Sequence, residues 1–336
     1  MFILYFGIFD AKGTTLFSKN IRKKRQFTLF IYFCAMKYNE FGPWLQEQLG
    51  TKVQKISVNA GFTCPNRDGT VGHGGCTFCN NQTFNPAYCQ PIKSITQQLE
   101  EGKRFFARKY PNMKYLAYFQ AYTNTYGQLE HLKKRYEEAL RVSDVVGLVI
   151  GTRPDCMPTA LLEYLTELNR RTFLIVEYGI ESANEDTLLR INRGHSFALS
   201  TEVIRKTAAC GIRVGAHIIL GFPWESRQEL MRQADEIARL PLTTLKLHQL
   251  QIIKGTALAE EYLQHPWPLP TAQEYIDLVL EYISHLPSTL VLERFVSQSP
   301  PEFVIAPQWG LKNYEFTNLV KLALQKRQLK HPPKDS

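Results

Sequence analysis

Nowhere in the 336 residues does an uninterrupted apolar run reach about 18, the length that a bilayer-spanning helix requires. No cleavable signal is evident, no internal repeat stands out, and no long low-complexity segment separates one part of the chain from another. The dinucleotide fingerprint G-x-G-x-x-G is missing after every candidate strand, which argues against a Rossmann domain. Cysteine is not scarce, but its count of seven is odd and does not suit a fully paired disulfide framework. These absences point to a soluble, cytoplasmic protein without a membrane partner, in a reducing compartment where thiols stay available for metal.

With 44% hydrophobic residues the chain can bury a large core, and disorder is excluded for most of it. The formal charge of +9 is unevenly placed. Residues 1–35 hold six basic side chains against Asp10, so they account for +5, and the other 301 residues carry +4. Met36 directly precedes KYNEFGPWL, where an organised domain begins, and the expectation is that Met36 is the native start with 1–35 an upstream extension. A membrane-surface or targeting segment is the alternative for that leader. No continuous basic stripe with interleaved aromatics marks a nucleic-acid surface in the remainder.

What is present is a repeated alternation of short β-branched or apolar runs with longer helical patterns, the rhythm of parallel strands and crossover helices. Candidate strands fall at 55–61, 114–119, 145–151, 172–179, 213–221 and 243–253, with helices at 93–109, 128–141, 158–170, near 199–210, near 226–239 and at 271–285. Gly211 suits a helix C-terminus, and TLVLERF at 289–295 extends the sheet. The fold class is α/β, a partial TIM-like (β/α)6 barrel of parallel strands with a C-terminal extension. The expected divisions are 1–35, a core at 36–286, an extension at 287–327 packed on it, and a mobile tail at 328–336. In such barrels chemistry sits in the loops that follow the strands.

The first of those loops, GFTCPNRDGTVGHGGCTFCNN at 61–81, brings Cys64, Cys76 and Cys79 together in a segment too rich in turn formers for helix or strand. The spacing is C-x11-C-x2-C, and thiols so placed can converge on one centre. Buried structural cysteines are the bland reading. Zinc is the sharper competitor, because Cys89 could complete a four-thiolate tetrahedron and make a zinc-stabilised nucleic-acid-binding or scaffold protein. A cubane held by three cysteines would instead leave one iron open. The loop alone does not choose between zinc and iron–sulfur.

Later motifs do. Cys76-Thr77-Phe78-Cys79, YFQAYTNTYG at 118–127, GTRPDC at 151–156, VEYGIES at 176–182, INRGH at 191–195, HIILGFP at 217–223 and VIAPQWGLKN at 304–313 together resemble the radical S-adenosylmethionine (radical SAM) superfamily. The chain looks most like the YhcC-like group of the branch that includes the catalytic subunit of Elongator. The resemblance covers roughly 37–315. Most members have three residues between the first two cysteines, whereas eleven stand here.

The resemblance implies a [4Fe-4S] cluster on Cys64, Cys76 and Cys79, with S-adenosylmethionine (SAM) on the open iron. Reductive cleavage of SAM would yield a 5′-deoxyadenosyl radical that acts on an unknown substrate, RNA being one class that the Elongator relation suggests. An electron donor such as flavodoxin or ferredoxin is the implied partner. Glu181 aligns with a ribose contact and Arg193, twelve residues on, with a contact to the SAM carboxylate. The superfamily's GGE motif is absent; Gln120, Thr123 and Asn124 occupy its neighbourhood. His217 stands where several relatives place an acidic SAM contact. Gly221 and Pro223 shape the turn near the adenine, Cys156 points toward the mouth, and residues 66–75 are expected to form part of the pocket wall.

Overall fold

The structure, a computed structural model, describes residues 38–107 and 113–330. The leader at 1–35, the start at Met36 and the last six residues of the expected tail lie outside the described residues. The chain begins with β1 (Asn39–Glu40) and α1 (Phe41–Leu49), followed by β2 (Val53–Val58), α2 (Ile95–Ala107), β3 (Lys114–Phe119) and α3 (Leu129–Leu140). Next come β4 (Val145–Thr152), α4 (Thr159–Arg171), β5 (Phe173–Glu181), α5 (Glu185–Arg190), α6 (Phe197–Ala209), β6 (Arg213–Leu220) and α7 (Arg227–Ala238). The chain closes with β7 (Thr244–Gln249), β8 (Ile252–Ile253), α8 (Ala257–Gln264), α9 (Ala272–Ser284), β9 (Val291–Arg294), β10 (Val304–Ala306) and α10 (Asn313–Lys330).

Strands β2 to β7 pair in sequence order, all parallel; β9 adds beside β7 and β1 beside β9, giving an eight-stranded parallel sheet. The sheet curls into a half-barrel, the partial TIM-like barrel read from the strand–helix rhythm. Its strands are buried on both faces, which is why they read as near-continuous apolar runs. One face of each strand, including Ile56, Phe119, Ile150 and Val176, packs under the crossover helices. The opposite face closes one end with Leu116, Tyr118, Val149, Phe173 and Ile175 around Leu45. Leu45 belongs to α1, which lies against both β2 and β9 and fills the barrel where the sheet does not close.

Local chemistry ends the helices where the sequence places polar caps. Ser196, Ser226 and Thr256 each accept from the backbone N–H three residues on, and Thr271 with Glu274 forms a reciprocal capping box at α9. Gly211 follows α6 with φ +75°, as a left-handed C-terminal stop requires.

Three boundaries differ from expectation. The first strand stops at Val58, because Asn59 turns the chain by accepting from the Gly61 N–H at 3.0 Å. The sixth strand leaves the sheet after Gln249, and Ile252–Ile253 pairs antiparallel with β10 instead. The last helix continues to Lys330, past the expected tail boundary. Among the described residues no helix is long and apolar enough to cross a membrane.

Candidate active site

The cysteine loop leaves β2 and folds upon itself. Arg67 and Asp68 N–H groups donate to the Cys64 carbonyl, Val71 and Gly72 to that of Pro65, and Gly75 to that of Asn66 at 2.8 Å. The residues between Cys64 and Cys76 therefore form a closed arm, which brings the two cysteines back together despite the eleven-residue separation. Asn66 anchors the arm from within, its Nδ2 donating to the Asn192 carbonyl and lying 3.7 Å from Cys76 Sγ. Of residues 66–75, Arg67 and Gly75 line the cavity. Cys79 N–H donates to the Cys76 carbonyl at 3.0 Å, the tight turn that gathers the last two sulfurs.

Cys64, Cys76 and Cys79 line one cavity of about 200 Å³ at the end of the half-barrel where the strands finish. Burial, reinforced by the neighbouring Cys76, pushes the Cys79 thiol up to about 12. Such a thiol ionises when a cation arrives to take its charge. Arg193 lies beside the sulfurs, with Nη1 3.5 Å from Cys76 Sγ, Nη2 on the Gly179 carbonyl and 3.6 Å from Glu181 Oε1. Burial works against the arginine's charge, yet Cys76 and Glu181 outweigh it and raise its pKa.

Glu181 sits at a register shift between β5 and β6 with φ +73°, in the left-handed region that a non-glycine residue rarely occupies. This bulge turns the carboxylate toward the cavity. Gly179 makes room for it: a Cβ there would stand 2.4 Å from Glu181 Oε1 and 2.8 Å from Arg193 Nη2.

The wall away from the cysteines is a buried polar network. Glu177 accepts from Lys55 at 2.8 Å and Lys246 at 2.5 Å, and the two lysines also pair with Glu293 at 2.6 and 3.2 Å. Lys246 Nζ also donates to the Tyr118 hydroxyl at 2.9 Å. These bridges run from β2 across to β7 and β9 and tie the two sides of the curl. Burial would raise the Glu177 carboxyl, but Lys246, Lys55 and His217 together hold it well below the usual carboxylate range. His217, 3.1 Å from Glu177, is depressed to about 4 by burial and by Lys246.

The residues singled out in the sequence fall in two groups. Gln120, Thr123, Glu181, Arg193, His217 and the three cysteines line the cavity. Asn124 is fully buried, and its Nδ2 donates to the carbonyls of Phe119 and Gly151, so it pins the loop after β3. Cys89 donates to the Ser57 carbonyl at 2.8 Å and does not line the cavity. Among the described residues no three His, Cys, Asp or Glu side chains are grouped closely enough to hold a single metal ion. Cys156 is buried beside Asp155 and does not line the cavity.

Sequence reasoning did not single out Arg67, Lys55, Lys246 and Arg294, and named Arg153 only as a residue of the loop after the third strand. Arg153 lines the cavity and forms a two-point pair with Asp155 at 2.9 and 2.7 Å, and its buried Nη1 has no hydrogen-bond partner among the described residues. The lysines had one signal: a basic residue flanked by apolar ones in a buried strand, Lys55 beside Ile56 and Lys246 between Leu245 and Leu247.

The chain belongs to the radical SAM superfamily. The family model "Radical SAM superfamily" matches residues 63–237, and "Radical_SAM C-terminal domain" matches 242–326. It is similar to the uncharacterized protein YtqA of Bacillus subtilis, 37% identical over 87% of this chain and 90% of that one. Protein YhcC of Escherichia coli is 36% identical over 81% of this chain and 87% of its own length. Elongator complex protein 3 of Bos taurus is 26% identical, over 60% of this chain and 38% of that protein. Archaeal Elp3 of Methanocaldococcus infernus shares the fold with a TM-score of 0.63 at 17% identity, over 82% of this chain and 63% of that structure. The protein is thus a radical SAM enzyme of the YhcC-like group, related to Elp3, and the family implies SAM and a [4Fe-4S] cluster as its cofactors.

Proposed function

We propose that the cavity binds a [4Fe-4S] cluster through Cys64, Cys76 and Cys79 and holds SAM against it. The observation that carries this reading is the convergence of the three sulfurs with Arg193 and Glu181 in one cavity at the ends of the strands. The donor set fits: three thiols favour soft iron, and the guanidinium on Cys76 offsets charge on a sulfur ligand. The buried Arg193 Nε and Arg153 Nη1, which have no partner among the described residues, fit an anionic group beside them.

In this reading Arg193 pairs with the SAM carboxylate, Glu181 accepts from ribose hydroxyls, and Gln120, Thr123 and His217 line the remaining contact surface. Asn124 keeps the loop after β3 in place. When bound, the cluster with an open iron supplies the electron that cleaves SAM to methionine and a 5′-deoxyadenosyl radical. The chain's own part is to orient SAM and to enclose it so that the radical meets substrate rather than water or protein. A one-electron donor such as flavodoxin or ferredoxin restores the reduced state.

Iron content tests the ligand assignment. After anaerobic reconstitution, about four irons per chain are expected in the wild type and in Cys89→Ala, with loss of most iron in Cys64→Ala, Cys76→Ala and Cys79→Ala. Equal iron in Cys76→Ala, or loss in Cys89→Ala, would contradict it.

A further inference from the structure

The cavity continues past the cysteines to Arg294, His248, Gln249 and Ser297, none of which has a part in holding the cluster or SAM in the reading above. This end is organised with unusual completeness. Arg294 Nη2 approaches His248 Nε2 at 3.4 Å, and His248 Nδ1 meets Ser297 Oγ. Because a guanidinium can only donate, Nε2 accepts, and a neutral His248 must then carry its proton on Nδ1 and donate to Ser297. The Ser297 hydroxyl is left with its own proton to give. Gln249 fixes the backbone of Ser297 from both sides, donating to its carbonyl at 3.0 Å and accepting from its N–H at 2.7 Å. His248 stays neutral: burial first, then Arg294 and His217, hold its pKa well below the usual value.

The charges do not balance here. Lys55 and Lys246 already share both Glu177 and Glu293, and Arg294 has no carboxylate partner among the described residues. Its Nε is buried with no hydrogen-bond partner among them. Three cations therefore face two carboxylates, with the neighbouring histidines neutral, and one negative charge is wanting. A half-buried guanidinium whose buried Nε–H is unspent, in a lined cavity, asks for an oxyanion. One missing charge and a planar fork suit a singly charged oxyanion, and a cavity of about 200 Å³ admits a small carboxylic acid rather than a polynucleotide phosphodiester.

We propose that Arg294 and Ser297, held by His248 and Gln249, bind the carboxylate of the substrate, which is a small organic acid. The idea rests on the radical SAM reading of the same cavity, and it places the substrate's acid end against β9 while the rest of the molecule extends toward the cysteine loop. His248 and Gln249 are positioning residues; Arg294 and Ser297 touch the ligand.

Calorimetric titration of reconstituted, SAM-loaded protein with butyrate, butyramide and dimethyl phosphate tests the site. Butyrate should bind about tenfold or more tightly than butyramide, and Arg294→Gln should weaken butyrate about tenfold or more. Ser297→Ala, a milder change that keeps the arginine, should weaken it several-fold, while Arg294→Lys retains part of the affinity. SAM affinity and iron content of Arg294→Gln should match the wild type, which shows that the variant is folded. Equal binding of butyrate and butyramide, or butyrate affinity indifferent to both Arg294→Gln and Ser297→Ala, overturns the inference. Weaker SAM binding in Arg294→Gln also overturns it, by assigning Arg294 to the cofactor. Dimethyl phosphate, singly charged like an RNA phosphodiester, bound as tightly as butyrate through Arg294 overturns the choice of a carboxylate in favour of a phosphate-bearing substrate such as RNA. Failure of the wild type to form 5′-deoxyadenosine is a separate result that removes the enzyme reading, whatever butyrate does.

Discussion

Arg193, Glu181 and Gly179 show how single positions build the cysteine side of the cavity. Twelve residues separate the arginine from the glutamate, yet the bulge at Glu181 and the missing side chain at Gly179 put them 3.6 Å apart beside Cys76. The same scale governs acid sensitivity. His217 titrates near 4 in the fold against 6.5 for an ordinary histidine, because burial and Lys246 oppose its charge. Between those values the unfolded chain binds a proton that the folded chain refuses, so stability falls as pH drops from about 6.5 toward about 4. Glu177 acts with the same sign at lower pH: its depressed pKa confers stability that is complete above the usual carboxylate value and lost in stronger acid. His217→Gln should flatten the slope of urea stability against pH between 6.5 and 4 by about one proton. His195, pushed down to about 3, and His248 keep a slope of the same sign in the variant, which the raised carboxyls of Glu181 and Glu225 oppose. An unchanged slope in His217→Gln would contradict the assignment.

At the scale of elements, the arm between Cys64 and Cys76 answers why so long an insertion does not scatter the sulfurs. It closes on its own backbone, and Arg67 and Gly75 contribute to the cavity wall. Replacing 68–73 with a short glycine link and Arg67 with Ala should therefore leave iron content close to wild type while turnover of SAM falls about tenfold to a hundredfold. Loss of iron in parallel with turnover would show that the arm serves ligation alone. Elements also mark where sequence reading stopped. The six strand–helix units were legible because buried parallel strands are mostly apolar and their helices carry capping signals at Ser196, Ser226 and Thr271. The pairing of Asn39–Glu40 with β9 and of Ile252–Ile253 with β10 was not legible, since neither short segment has a pattern of its own and both are made by tertiary contact.

For the whole molecule, the curl of the sheet decides the chemistry. It carries Lys55 on β2 within 2.6 Å of Glu293 on β9, strands at opposite sides of the opening, and so creates a charged interior between the apolar plug around Leu45 and the cysteine mouth. The cysteines, Glu181 and Arg193 could be named from motifs because they lie at or just beyond the ends of β2 and β5. Lys246 and Arg294 could not, because their partners are set by which strands face each other across the curl, and no local pattern reports that. The central claim is that this interior holds SAM against a cluster on three cysteines. Anaerobically reconstituted protein, given SAM and dithionite, tests it most directly by chromatographic measurement of 5′-deoxyadenosine. Formation of 5′-deoxyadenosine by the wild type and its absence in Cys76→Ala are predicted; an iron-loaded wild type that forms none with dithionite or flavodoxin would contradict the account.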